Sequence, residues 1–186
     1  RLLSDFGWSV GFTVARFATR LSPLAANAHD IGFAAEGVLP GAPGLPDATT
    51  AAPAALRIDA TLEFDRPIDR NANRPLITAI TIREARAISG AASLTASGDL
   101  AITETGSPEG RVMLRATEWE TVIAVIAATG LIRPEIAPTY VAMLDQLATQ
   151  SADPEVVHIP LDFRSGRMSL GPIPLGPAPR LSGYLQ

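Results

Sequence analysis

The chain has 186 residues, 47% of them hydrophobic and 18% charged, which excludes wholesale disorder and allows about 70% of the unfolded surface to be buried in one good core. The formal charge is −4, all 15 basic residues are arginine, and no local run of them supplies a pull toward nucleic acid or anionic lipid. Cysteine is absent, which removes disulfides and thiolate chemistry, and the longest apolar run, Val122 to Ala128, falls far short of the roughly 20 residues that span a bilayer.

The chain opens at Arg1-Leu2-Leu3 without a leader pattern, which reads as part of a longer protein whose targeting segment lies upstream or has been removed. Phe6 to Val14 alternates, with Trp8, Val10, Phe12 and Val14 on one side, and is expected to be a strand. Phe6, Val10, Phe17 and Leu21 would also fit a helical stripe. A second strand is expected near Asp30 to Glu36. Pro, Ala, Gly and Thr without a period then suggest a loop or linker over 38–56. This divides the chain into N-terminal strands at 1–37, the linker, and a main α+β domain at 57–186.

The clearest strand is Arg57 to Asp65, where Ile58, Ala60, Leu62 and Phe64 alternate with polar residues, a period of two that leaves one face wet. Similar alternation recurs in Ile77 to Arg83, Ser93 to Ala96, Leu100 to Thr103 and Arg111 to Ala116. Ser97-Gly98-Asp99 and Gly106 to Gly110 read as turns between them. Thr117 and Glu120 have the spacing of a capping box, and Trp119, Val122, Ile123, Ile126 and Ala127 form one helical face. Gly130 is a stop. Leu131 to Arg133 is a short joint, and Pro134 starts a second helix striped by Ile136, Tyr140, Met143, Leu144 and Leu147, making an αα-hairpin. Val157, Ile159, Leu161 and Phe163 return to alternation before a Ser165-Gly166 turn. The prolines at 172, 174, 177 and 179 place the tail at an edge, because each lacks a ladder donor. The expected class is α+β: a predominantly antiparallel, curved β meander with one αα-hairpin inserted before a C-terminal β-hairpin.

Reactive constellations are hard to find. His29 and His158 lack metal-site spacing, no Gly-x-Ser-x-Gly elbow occurs, and Gly37 to Gly44 is a poor phosphate loop because prolines interrupt it. The least poor catalytic arrangement is His158 with Asp162, and His29-Asp30 reads as a loop before a strand. Asp59, Glu63 and Asp65 share a strand face but alternate with arginine, as a solvated surface does. Arg66, Asp69, Arg70 and Arg74 read as a charged loop, with contact to an acidic partner as the functional alternative. No catalytic, cofactor or metal residue is therefore assigned. The one candidate binding feature is an apolar groove at the helix pair, lined by Trp119, Ile123, Ile126, Tyr140, Met143 and Leu147.

Several segments together resemble a known family: Arg74-Pro75-Leu76 with Ile80-Thr81-Ile82, Ala96 to Leu100, Gly110 to Leu114 before the Trp119 helix, and Pro160 to Leu181 with its Gly and Pro pattern. Over roughly 59–181 the chain resembles DUF2125, a bacterial domain of unknown function found in alphaproteobacteria, and more loosely the AsmA-type envelope proteins linked to lipid handling. The resemblance brings no catalytic residue. It implies an exported protein, periplasmic or tethered facing the periplasm by an upstream anchor. The expected function is a non-catalytic envelope module without cofactor that binds a lipid or other amphiphile. The alternative is a scaffold that recruits another envelope protein through a sheet edge or the Pro-rich tail, and a hydrolase ranks last.

Overall fold

Alternating side chains become a sheet when each strand finds a neighbour that matches its buried face, and in the computed structural model nearly every strand does so through a hairpin. The structure describes residues 2–3, 9–41, 54–68, 75–128, 134–149, 153 and 155–181. Their strands are β1 (Leu2–Leu3), β2 (Ser9–Gly11), β3 (Val14–Leu21), β4 (Ala28–Gly41), β5 (Ala54–Phe64), β6 (Ile77–Ser89), β7 (Ala92–Ile102), β8 (Pro108–Thr117), β9 (Val157–Arg164), β10 (Arg167–Leu170) and β11 (Ile173–Pro177). All described pairings are antiparallel, in the order β1-β2-β4-β5-β6-β7-β8-β9-β10-β11, with β3 also paired to β4. Helix α1 (Trp119–Ala128), a 3₁₀ turn (Pro134–Ile136) and helix α2 (Ala137–Thr149) lie between β8 and β9. The expected α+β meander with its helical insertion and closing hairpin is present.

Several boundaries differ from the sequence reading. Strand β3 occupies Val14–Leu21, beyond the stretch assigned to the first strand, while Phe6 and Trp8 lie outside the described residues. The ends of the proposed linker are strand: β4 runs to Gly41, β5 begins at Ala54, and Val38 pairs with Ala54. The helix joint Leu131 to Arg133 and the loop residues Asp69, Arg70 and Arg74 lie outside the described residues.

Ser97-Gly98-Asp99 is not a turn but the middle of β7. Gly98 is there because the chains come very close: it adopts φ 151°, and a Cβ on it would overlap the Arg111 carbonyl oxygen of β8. The Thr117 hydroxyl also has a different job from the expected cap. It donates to the Ala91 carbonyl and accepts from the Ser93 amide at 3.1 Å, tying the end of β8 to the start of β7.

The helices cover only part of the sheet. They pack over β7, β8 and β9, where Ile123, Tyr140, Leu144, Ala148, Val157, Ile159 and Leu170 form a buried cluster. Leu144 and Val157 are each 1% exposed, and at roughly 1.5–3 kcal/mol per buried aliphatic side chain this cluster is the main anchor of the hairpin.

Candidate binding face

Of the six residues assigned to a helical groove, Ile123 and Tyr140 are buried in that cluster, and Trp119 and Met143 are half-buried against it. Burial raises the Tyr140 hydroxyl above its ordinary pKa. The Trp119 indole Nε1 donates to Asp145 Oδ1 at 2.9 Å, which ties α1 to α2. Leu147 is 37% exposed, and the Ile126 side chain lies outside the described residues. The structure therefore brings four of the six together, as packing between helices and sheet.

The sheet itself provides an apolar surface that the sequence reading did not assemble. Directly paired residues share a face, so register generates rows across the strands. On the side that carries the helices further along the sheet, one row is Phe17, Phe33, Ile58 and Ala85, a second is Thr19, Ile31, Ala60 and Ile82, and a third is Leu21, His29, Leu62 and Ile80. The helices pack farther along the sheet. Phe17 is 65% exposed and Leu21 70%, while Ile31, Phe33, Ile58, Leu62, Ile80 and Ile82 are half-buried. His29 stacks edge-on against Phe64, with ring centroids 5.9 Å apart, so its ring extends this surface. The signal was in the sequence as the alternation of Ile58, Leu62 and Phe64. Sequence could not show that the surface remains open, because that depends on where the helices land.

The opposite face is polar, and its acids are engaged. At Asp59 the β5–β6 register slips, so Arg83 and Glu84 are exposed together opposite one residue, a bulge that re-aims the Arg83 guanidinium. Arg83 donates to Asp59, to the Thr61 hydroxyl and to Asp30, the last at 3.4 Å. Thr61 Oγ1 donates to Asp30 Oδ1 at 2.8 Å, and Arg20 Nε donates to Asp30 at 3.0 Å. The Thr61 hydroxyl, followed by Arg20, Ser22 and Arg83, lowers the Asp30 carboxyl to about 2 against the opposing effect of burial. Asp59 is lowered chiefly by its hydrogen bond from Arg83, Asp65 by that from Arg66, and Asp162 by that from Arg111 at 2.6 Å.

These carboxylates hold strands together. Their proton affinity is moved opposite to what a general acid requires. Asp162 is committed to Arg111 and sits four strand residues, roughly 13 Å, from His158, too far for a direct hydrogen bond. Among the described residues no group of three His, Asp or Glu is arranged to hold a metal ion, and no helix is long and apolar enough to cross a membrane.

The fold is thus that of a half-covered antiparallel sheet with one apolar and one charged face. The chain belongs to the family described as an uncharacterized protein conserved in bacteria (DUF2125), whose model matches residues 4–179. That match extends N-terminally beyond the 59–181 stretch that carried the sequence resemblance and includes the strands that bear Phe17 and Phe33. No curated protein and no solved structure matches the chain.

Proposed function

We propose that this chain is a non-catalytic module of the bacterial cell envelope, periplasmic or tethered facing the periplasm, that holds a lipid or other amphiphile against the open apolar face of β3 to β6. The observation that carries the reading is the row Phe17, Phe33 and Ile58, with Phe17 65% exposed beyond the reach of the helix pair. A large apolar patch left in water on a well-paired sheet is the usual mark of a ligand or partner surface. A lipid tail laid on it gains about 25 cal/mol for each Å² removed from water. The envelope assignment and the likeness to AsmA-type proteins rest on the sequence resemblance and belong to the same reading.

Native mass spectrometry of the purified protein, followed by organic extraction, tests it. The expected result is a bound species in the lipid mass range that extraction removes. A clean ligand-free mass that stays unchanged after incubation with phospholipid and fatty acid overturns it.

A second reading, a scaffold that recruits a protein by strand addition, is favoured by one observation. All eight residues of β3 are exposed, and among the described residues β3 pairs on one side only. At the other end of the sheet, β11 contains Pro174 and Pro177, which lack the amide donor an added strand needs. Crosslinking in cells with Ala15→Pro in β3, whose amide points away from β4, distinguishes the readings, since loss of a crosslinked partner with lipid capture intact favours the scaffold.

A further inference from the structure

We infer that the polar face carries a second binding surface, a row of arginines that takes an extended acidic segment of a partner protein. Register places Arg16, Ala34, Arg57, Arg86, Thr95, Arg115 and His158 side by side across seven strands, from β3 to β9. Arg16, Arg57, Arg86, Arg115 and His158 are exposed, and among the described residues none of the four guanidinium groups has an ion pair or hydrogen bond. Arg57 stands directly opposite Arg86. Like charges in directly opposed pairs oppose sheet formation.

A row two same-face positions away shows what folding alone favours on this same face. There Arg20 is opposite Asp30 and Arg111 is opposite Asp162, each pair bonded. One row is neutralised internally and the other is left cationic.

The width of the cationic stripe selects the partner. Same-face residues along a strand lie about 6.8 Å apart, and the next positions include Asp59 and Glu84 on one side and Glu36 on the other. Glu36 and Glu84 share with Arg57 and Arg86 a recess of about 300 Å³. A flat anionic bilayer or a nucleic-acid duplex would cover these acids together with the arginines. A single extended peptide covers the stripe alone. No Phe, Tyr or Trp stands on the described polar face of these strands to stack a base, as single-stranded nucleic acid requires. Seven strands at about 4.8 Å spacing span roughly 29 Å, the length of about nine extended residues, and each guanidinium can grip a carboxylate through two parallel hydrogen bonds.

The test is fluorescence anisotropy with a labelled peptide of about ten residues in which Glu and Ser alternate, titrated with the whole chain at low and at high salt. Binding is expected to weaken with salt and to fall by about tenfold in Arg57→Gln/Arg86→Gln. It should be unchanged in Arg167→Gln/Arg180→Gln, which removes the same charge off the row. Because the two arginines repel, Arg57→Gln/Arg86→Gln should melt no lower than the parent. A lower melting temperature, equal loss in both double variants, or tighter binding to phosphatidylglycerol vesicles or to a single-stranded oligonucleotide than to the peptide would each overturn the inference.

Discussion

Consider Phe17→Ala. A buried phenylalanine removes about 200 Å² from water, and Phe17 is 65% exposed, so about 130 Å² stays free to meet a ligand and about 70 Å² is already covered. At about 25 cal/mol per Å², truncation removes less than about 2 kcal/mol from folding and up to about 3 kcal/mol from a ligand that covers the ring. The first loss lowers the melting temperature by less than about 7 °C in a chain of this size. The second weakens binding by up to about two orders of magnitude. Titration with a fluorescent long-chain fatty acid, alongside a thermal melt of the same sample, measures both. Leu147→Ala is the control, because Leu147 lies on the helix pair at the groove expected from sequence and is 37% exposed. Unchanged affinity in Phe17→Ala, or loss of affinity in Leu147→Ala with Phe17→Ala intact, refutes the argument for the sheet face.

Other substitutions probe what holds that face in place. Leu144→Ala, at a position 1% exposed in the helix–sheet cluster, should cost about 2–5 kcal/mol in urea unfolding, against about 1–2 kcal/mol for Leu147→Ala. Gly98→Ala should cost more than about 2 kcal/mol, because its Cβ meets the Arg111 carbonyl. Gly90→Ala, at φ 61° with no atom near the added carbon, should cost only about 1–2 kcal/mol of backbone strain in the same assay. Asp30, at about 2 in the folded state, lies below its unfolded value near 3.9, so the stability it contributes is present above about pH 4 and is lost as pH falls toward 2. Asp59, Asp65 and Asp162 are lowered too and act in the same direction. Melting temperature against pH should therefore fall below about pH 4, with a shallower slope in Asp30→Asn.

Whatever depends on a local period was readable from sequence. Arg57 to Asp65 alternates without a break and all but its last residue lies within β5, and the stripe of Tyr140 and Leu144 is buried in α2. Features set by pairing between distant segments were not readable. Arg57, Arg86 and Arg115 are far apart in the chain and make no basic run, and only the hairpin registers of β5 to β8 line them up. Gly98 looked like a turn because Gly followed by Asp usually is one, whereas here Gly answers the close approach of β8. The strong apolar stripe of the helices points to a groove there, but a stripe records that a face is buried and says nothing of what buries it.

The bulge in β6 shows how much one extra residue decides. From Ala79 to Ile82 the even positions of β6 face the apolar side, as Ile80 and Ile82 do, and after the bulge the odd positions do, as Ala85 and Ala87 opposite Ile58 and Leu56 show. The alternation read from Ile77 to Arg83 therefore ends where the phase changes, although the strand runs to Ser89. Without the slip, Glu84 would point into the apolar rows and Ala85 would point out. With it, Glu84 stays in water, Arg83 reaches Asp59 and the buried Thr61, and Arg86 comes opposite Arg57 on the polar face. The same extra residue thus keeps a charge out of the proposed lipid surface and sets two neighbouring arginines of the cationic row. A phase change of this kind, Ile80 and Ile82 followed by Ala85 and Ala87, is the one sequence signal that could have announced both faces.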